Sequence, residues 1–142
     1  MSKPNSNSEL IVSSSTDNLS VIRDFIRNAA ENAGLSNEAI GKITLAVDEA
    51  CTNVIKHAYN YSPDGEINIA ANVKKSKFII SITDFGKSFN PEAIPDPNLK
   101  ESIKQKRVGG LGMFLMKKLM DEVEYHTSSG KKNQVILVKY LA

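Results

Sequence analysis

The chain has 142 residues, the length of one ordinary domain, with 41% hydrophobic and 24% charged residues, values typical of a folded globular protein. Its 18 Lys and Arg against 16 Asp and Glu leave a formal charge of +2, too balanced for a protein held to nucleic acid by bulk charge. No apolar run approaches the ~20 residues of a membrane helix, the N-terminus lacks an apolar signal core, and the one cysteine, Cys51, excludes a disulfide framework or a multi-cysteine metal cage. These exclusions leave an intracellular domain, expected in the cytoplasm, with no direct contact to nucleic acid or membrane.

Residues 1–8 are Ser/Asn-rich and read as a flexible tail, and residues 9–142 as the domain. Residues 9–15 (ELIVSSS) fit an edge strand. Asp17 or Asn18 is then expected to cap a helix to about Ala33, in which Leu19, Ile22, Phe25, Ile26 and Ala29 recur at three- and four-residue spacing. Gly34 suits the helix end, and Ser36 followed by Glu38 suits the start of the next helix. That second helix is expected over about residues 37–59. Ile43, Val47, Ala50, Val54 and Ala58 share its core stripe, while Glu49, Asn53, Lys56 and Asn60 fall on a neighbouring one. Cys51 reads as a small buried hydrophobe and His57 as a partly packed helix histidine.

Beyond the turn Ser62-Pro63-Asp64-Gly65, residues 66–73 and 77–84 read as a hairpin of strands. Pattern dissolves over residues 85–108, which carry Gly86, three prolines and the cations Lys100, Lys104, Lys106 and Arg107. Gly109-Gly110-Leu111-Gly112 then enters an amphipathic helix to about Met120, with Met113, Phe114, Met116, Leu119 and Met120 as its apolar positions. Residues 122–128 and 134–141 close the chain as strands. Paired strands interrupted by helices predict an α+β fold: a two-layer α/β sandwich whose mixed, mostly antiparallel sheet is covered on one face by helices.

Three polar features stand where packing does not ask for them. Glu49 and Asn53 lie one helical turn apart, so a carboxylate able to accept a proton sits beside an amide oxygen of the hard type that suits Mg²⁺. Asp84 closes the apolar strand FIISIT, where a carboxylate partly buried at a sheet end needs donors; the amino group of a nucleobase is one, and Gly86 permits close approach of its ring. The glycines from 109 to 112 open a helix, where free N–H groups and the helix dipole favour an anion. Each feature alone has an ordinary reading: a solvated pair, a turn aspartate, a flexible loop.

In this order, Glu49-x-x-x-Asn53, Asp84-x-Gly86 and Gly109-Gly110-Leu111-Gly112 resemble the N, G1 and G2 boxes of the GHKL (Bergerat-fold) ATPases. The surrounding phrases AVDEACTNVIKHAY, ITDFGKSFNP and GGLGMFLMKKLMDEVEY are similar to those of bacterial anti-sigma factor serine/threonine kinases. The resemblance implies ATP and Mg²⁺ as cofactors, Glu49 as general base and Asn53 as metal ligand. It implies Asp84 as acceptor of the adenine amino hydrogen, with Gly86 beside the ring. Gly109, Gly110, Leu111 and Gly112 would carry the triphosphate under a lid at about residues 98–108, within reach of Arg107. Two positions depart from the family pattern: Ser88 replaces a second glycine, and Asn133 stands where a threonine is common, as a substitute donor to adenine or water. The implied partners are a sigma factor and an anti-anti-sigma protein of the STAS type, with a homodimer as a further expectation. The competing expectation is an ATP-gated protein-binding switch without significant phosphotransfer, since a ligand can bias a lid without chemistry.

Overall fold

The computed structural model describes residues 7–88, 112–128 and 132–141. In chain order it comprises β1 (Asn7–Ser13), a 3-10 turn (Thr16–Asn18), α1 (Leu19–Asn32), α2 (Asn37–Asn53), a π turn (Val54–Ala58), β2 (Glu66–Lys74), β3 (Lys77–Asp84), α3 (Gly112–Leu119), β4 (Glu122–Ser128) and β5 (Lys132–Tyr140). The five strands form one sheet in the order β1-β2-β3-β5-β4. Each neighbouring pair is antiparallel, so the sheet expected as mixed and mostly antiparallel has no parallel pair among the described strands. The cause is topological. The α1–α2 hairpin returns the chain to the end of the sheet where β1 finished, so β2 runs back along it. β4 has the same direction as β3, but β5 is inserted between them and no parallel contact forms.

Local sequence sets the element ends. Gly34 takes φ +85 after α1, and the Ser36 side chain accepts from the Ala39 amide at 3.1 Å to cap α2. At the start of α1 the expected cap is replaced. Asn18 turns its amide back to donate to the Ser13 carbonyl at 2.9 Å, while Ser15 caps the preceding 3-10 turn through the Asp17 amide. β1 starts at Asn7, opposite Asn72, so residues 7 and 8 belong to the sheet and not to the tail.

The helices pack on one face of the sheet and enclose a single core. Ile22 and Ile26 of α1, Ile43, Val47, Ala50 and Cys51 of α2, and Val54 and Ala58 of the π turn meet Ile67, Ile69, Phe78, Ile80, Ile82, Val135 and Leu137 from the strands. Cys51 is fully buried, and burial pushes its thiol far above the ordinary range, as an inert core hydrophobe requires. Met116 of α3 and Met120 just past its end join the core. Phe114, expected there, instead faces out at 45% exposure beside the Lys118 ammonium, because α3 presents only a narrow stripe to the core and Met116 occupies it.

The second helix also departs from expectation. Regular α-helix stops at Asn53 and continues as a π turn, with the Tyr59 amide donating five residues back to the Val54 carbonyl at 3.1 Å. The chain then leaves through Asn60 and Tyr61, both at positive φ. Asn60 therefore lies beyond the helix, in the turn that follows it.

Candidate functional site

The register of the sheet builds the strand side of the site. Asp84, last residue of β3, lies directly opposite Asn133 of β5, and opposed residues in antiparallel strands project to the same face. Here that is the helix-covered face, leaving Asp84 at 1% exposure and Asn133 fully buried. Asn133 is thus inside the last strand, one residue beyond its start, and not ahead of it. Its Nδ2 donates to Asp84 Oδ1 at 2.8 Å and lies 3.3 Å from the carbonyl oxygens of both Gly86 and Lys87. All three are acceptors, so the amide must turn its donor to them and its Oδ1 away, toward the Tyr125 hydroxyl at 3.5 Å.

Asp84 Oδ1 takes a second hydrogen bond, from the Gly86 amide at 3.0 Å. Both donors converge on the same oxygen, and among the described residues Oδ2 receives none. Burial raises the Asp84 carboxyl above its ordinary range, while the donors from Asn133 and Gly86 pull it back down.

Gly86 is required by close approach. A Cβ there would collide with the Ala58 carbonyl oxygen and press on the Tyr59 ring. The contact arises because the Lys87 amide donates to the Ala58 carbonyl at 2.8 Å, drawing the β3 exit onto the π turn. Tyr59 strengthens this junction in a way that sequence reasoning missed. Its hydroxyl accepts from the Phe85 amide at 2.8 Å and donates to the Glu66 carbonyl at 2.6 Å. Its ring fills the space that side chains at Gly65 and Gly86 would take. The signal available was an aromatic residue at a helix end, followed six residues later by a glycine, but aromatic rings at such positions usually serve packing alone.

The helix side is local. Glu49 and Asn53 occupy successive turns of α2, Glu49 half-buried and Asn53 at 5% exposure. Burial is the main cause that raises the Glu49 carboxyl, and the neighbouring Asp48 charge adds to it. Asp48 itself is tied to α1, with Arg23 donating to Oδ2 at 2.9 Å. The Asn53 amide, nearly buried, makes no hydrogen bond with another described residue. That property, with the hard oxygen it offers, fits a Mg²⁺ ligand. Among the described residues there is no cluster of three His, Cys, Asp or Glu.

Hydrogen bonding therefore unites Asp84, Gly86 and Asn133, and the Ala58 and Tyr59 contacts join them to the end of the helix that carries Glu49 and Asn53. Gly112 opens α3, which packs against α2. Arg107, Gly109, Gly110, Leu111 and the expected lid at residues 98–108 lie outside the described residues. Ser88 is exposed. His57 is half-buried and its imidazole is lowered, chiefly by burial and also by Lys56.

Comparison with known proteins gives a consistent result. The family model described as histidine kinase-like ATPase domain matches residues 12–139. A serine-protein kinase RsbW from Listeria innocua is 35% identical over 127 residues, covering 87% of this chain and 80% of the relative. The protein of the same name from Staphylococcus epidermidis is 36% identical over 138 residues, covering 94% and 86%. Two solved structures share the fold. One holds the RsbU and RsbW domains of a Mycobacterium tuberculosis protein, with TM-score 0.70 and 18% identity over 97% of this chain and 33% of that one. The other is the SiaB-SiaC complex from Pseudomonas aeruginosa, with TM-score 0.67 and 14% identity over 92% and 88%.

Proposed function

The chain belongs to the histidine kinase-like ATPases and, within them, to the RsbW serine-protein kinases, so it is an ATP-using anti-sigma kinase, and from that premise we propose how its own residues carry the reaction. Asp84 Oδ2 accepts the adenine amino hydrogen, with Gly86 giving the ring access to the backbone. Glu49 accepts the proton of the partner's Ser or Thr hydroxyl as that oxygen attacks the γ-phosphorus, and the bond to the β-phosphate oxygen breaks to leave ADP. The raised Glu49 carboxyl, pushed up chiefly by burial, is a stronger base than an exposed glutamate. Asn53 would hold Mg²⁺, which supplies charge neutralisation of the phosphates when bound. Gly109, Gly110, Leu111 and Gly112 would cradle the triphosphate at the start of α3, with Arg107 as a cationic donor.

One observation carries this reading. A buried strand-end carboxylate has one oxygen held by two protein donors and the other receiving none among the described residues, at a loop bonded to the end of the helix that bears Glu49 and Asn53. The phosphoacceptor is an anti-anti-sigma protein, which we assign to the STAS type, and the protein held inactive is a sigma factor. A homodimer and a cytoplasmic site of action complete the proposal. No described helix is long and apolar enough to cross a membrane.

The test is incubation with labelled ATP, Mg²⁺ and a STAS-type partner. Label is expected on a partner Ser or Thr, and absent with Glu49→Gln although that variant still binds nucleotide. Asn53→Ala is expected to lose the dependence on Mg²⁺. Wild type that binds ATP and transfers nothing to any partner would favour the nucleotide-gated switch.

A further inference from the structure

The expectation for Asn133 is a donor to adenine or water, but its donor is already committed. Nδ2 is directed at Asp84 Oδ1 and at the two carbonyls of the following loop, so no N–H of this side chain is left for a ligand. Asn133 and the Gly86 amide both hold the same Asp84 oxygen, so losing either donor loosens the carboxylate. From the opposite side, Tyr59 ties the Phe85 amide to the Glu66 carbonyl through one hydroxyl, between two residues that have no side chain. The aspartate is clamped from β5 and its loop from the end of α2.

We propose that Asn133 and Tyr59 are positioning residues that set the base preference of the nucleotide site, by holding Asp84 so that a single, oriented carboxylate oxygen faces the ligand. A fixed acceptor selects a purine with a 6-amino group, whose N–H it receives. It rejects a 6-oxo purine, whose oxygen would face the carboxylate without a proton between them. A carboxylate free to turn, or on a loop free to shift, discriminates less because the mismatched group is no longer forced against it. This inference rests on the reading of Asp84 as the base acceptor given above.

The experiment measures the affinity of ATP and of ITP, each with Mg²⁺, for the full chain and its variants by calorimetric titration. ITP differs from ATP at position 6 of the base and shares the ribose and triphosphate, so a partly misfolded sample weakens both ligands together and leaves their ratio unmoved. Wild type is expected to prefer ATP. Asn133→Leu, with the same branching but without a donor, is expected to reduce the ATP-to-ITP ratio about tenfold, the worth of one hydrogen bond to a charged group. Tyr59→Phe keeps the ring between Gly65 and Gly86 and is expected to lower the ratio severalfold. Either variant weakening ATP and ITP equally, or changing neither, overturns the proposal.

Asp84→Asn separates this from the underlying reading. The Asn133 and Gly86 donors hold the new amide by its oxygen, so its NH₂ faces the ligand and the preference is expected to invert toward ITP. If Asp84→Asn leaves the wild-type ATP preference intact, the base is not read at Asp84 and the underlying reading fails. If the preference does invert but Asn133→Leu and Tyr59→Phe retain the wild-type ratio, Asp84 keeps its role and the clamp alone is refuted.

Discussion

The two sides of the site are built by opposite means. Glu49 and Asn53 need only one intact turn of α2, and their relative placement follows from helix geometry whatever the rest of the chain does. Asp84 depends on β3, on Asn133 almost fifty residues later, and on the π turn through Ala58 and Tyr59. A locally built pair tolerates distant change, whereas an assembled one fails when any contributing element shifts. Substitutions on the helix side should therefore alter chemistry and leave the fold alone, and those on the strand side should disturb both.

Glu49→Gln tests the first half of that contrast and has the largest expected effect. Phosphotransfer should fall by about 10²- to 10⁴-fold, the usual contribution of a positioned base, with the thermal midpoint unchanged. A large loss of stability would show that Glu49 also serves the fold. Gly86→Ala tests the second half. The new methyl meets the Ala58 backbone, so the loop must separate from the π turn, at an expected cost of about 1–3 kcal/mol in a denaturant titration together with weakened ATP binding.

Acid titration sharpens the comparison further. Asp84 has a raised carboxyl, so the folded state retains its proton to higher pH than the unfolded chain does. Its stabilising contribution is full below the unfolded value and is lost as pH rises through the folded value. Relative to Asp84→Asn, wild type should lose stability as pH increases across that acid window, a difference visible in paired pH-dependent melts. Glu49 has the same sign, and phosphotransfer should rise with pH through its elevated carboxyl as the base form appears. The smallest effect is expected at Arg23→Ala. This half-exposed bridge from α1 to Asp48 contributes about 0.2–1 kcal/mol, and its loss should barely move the transfer rate.

The same contrast explains what could be read from the chain in advance. The stripe of Ile43, Val47, Ala50, Val54 and Ala58 is buried as its spacing required, and Glu49 and Asn53 share successive turns as theirs required. Asp84 at the end of an apolar strand was legible as a carboxylate in need of donors. The identity of those donors was not, because pairing Asp84 with Asn133 depends on the β3–β5 register, which is decided by long-range packing. Tyr59 escaped for a related reason: its role comes from a helix that widens in its last turn, and nothing in VIKHA announces a π turn. Phe114 misled because an apolar residue at helical spacing faces the core only if the helix docks with that stripe inward.

Cys51 gives these comparisons a built-in reporter. As the single thiol of the chain, sealed on the inner face of α2 two residues from both Glu49 and Asn53, it is reached by an alkylating reagent only when the core opens. Labelling kinetics thus count opening events without any engineered probe, and saturating nucleotide should slow them in proportion to how tightly it grips the closed form.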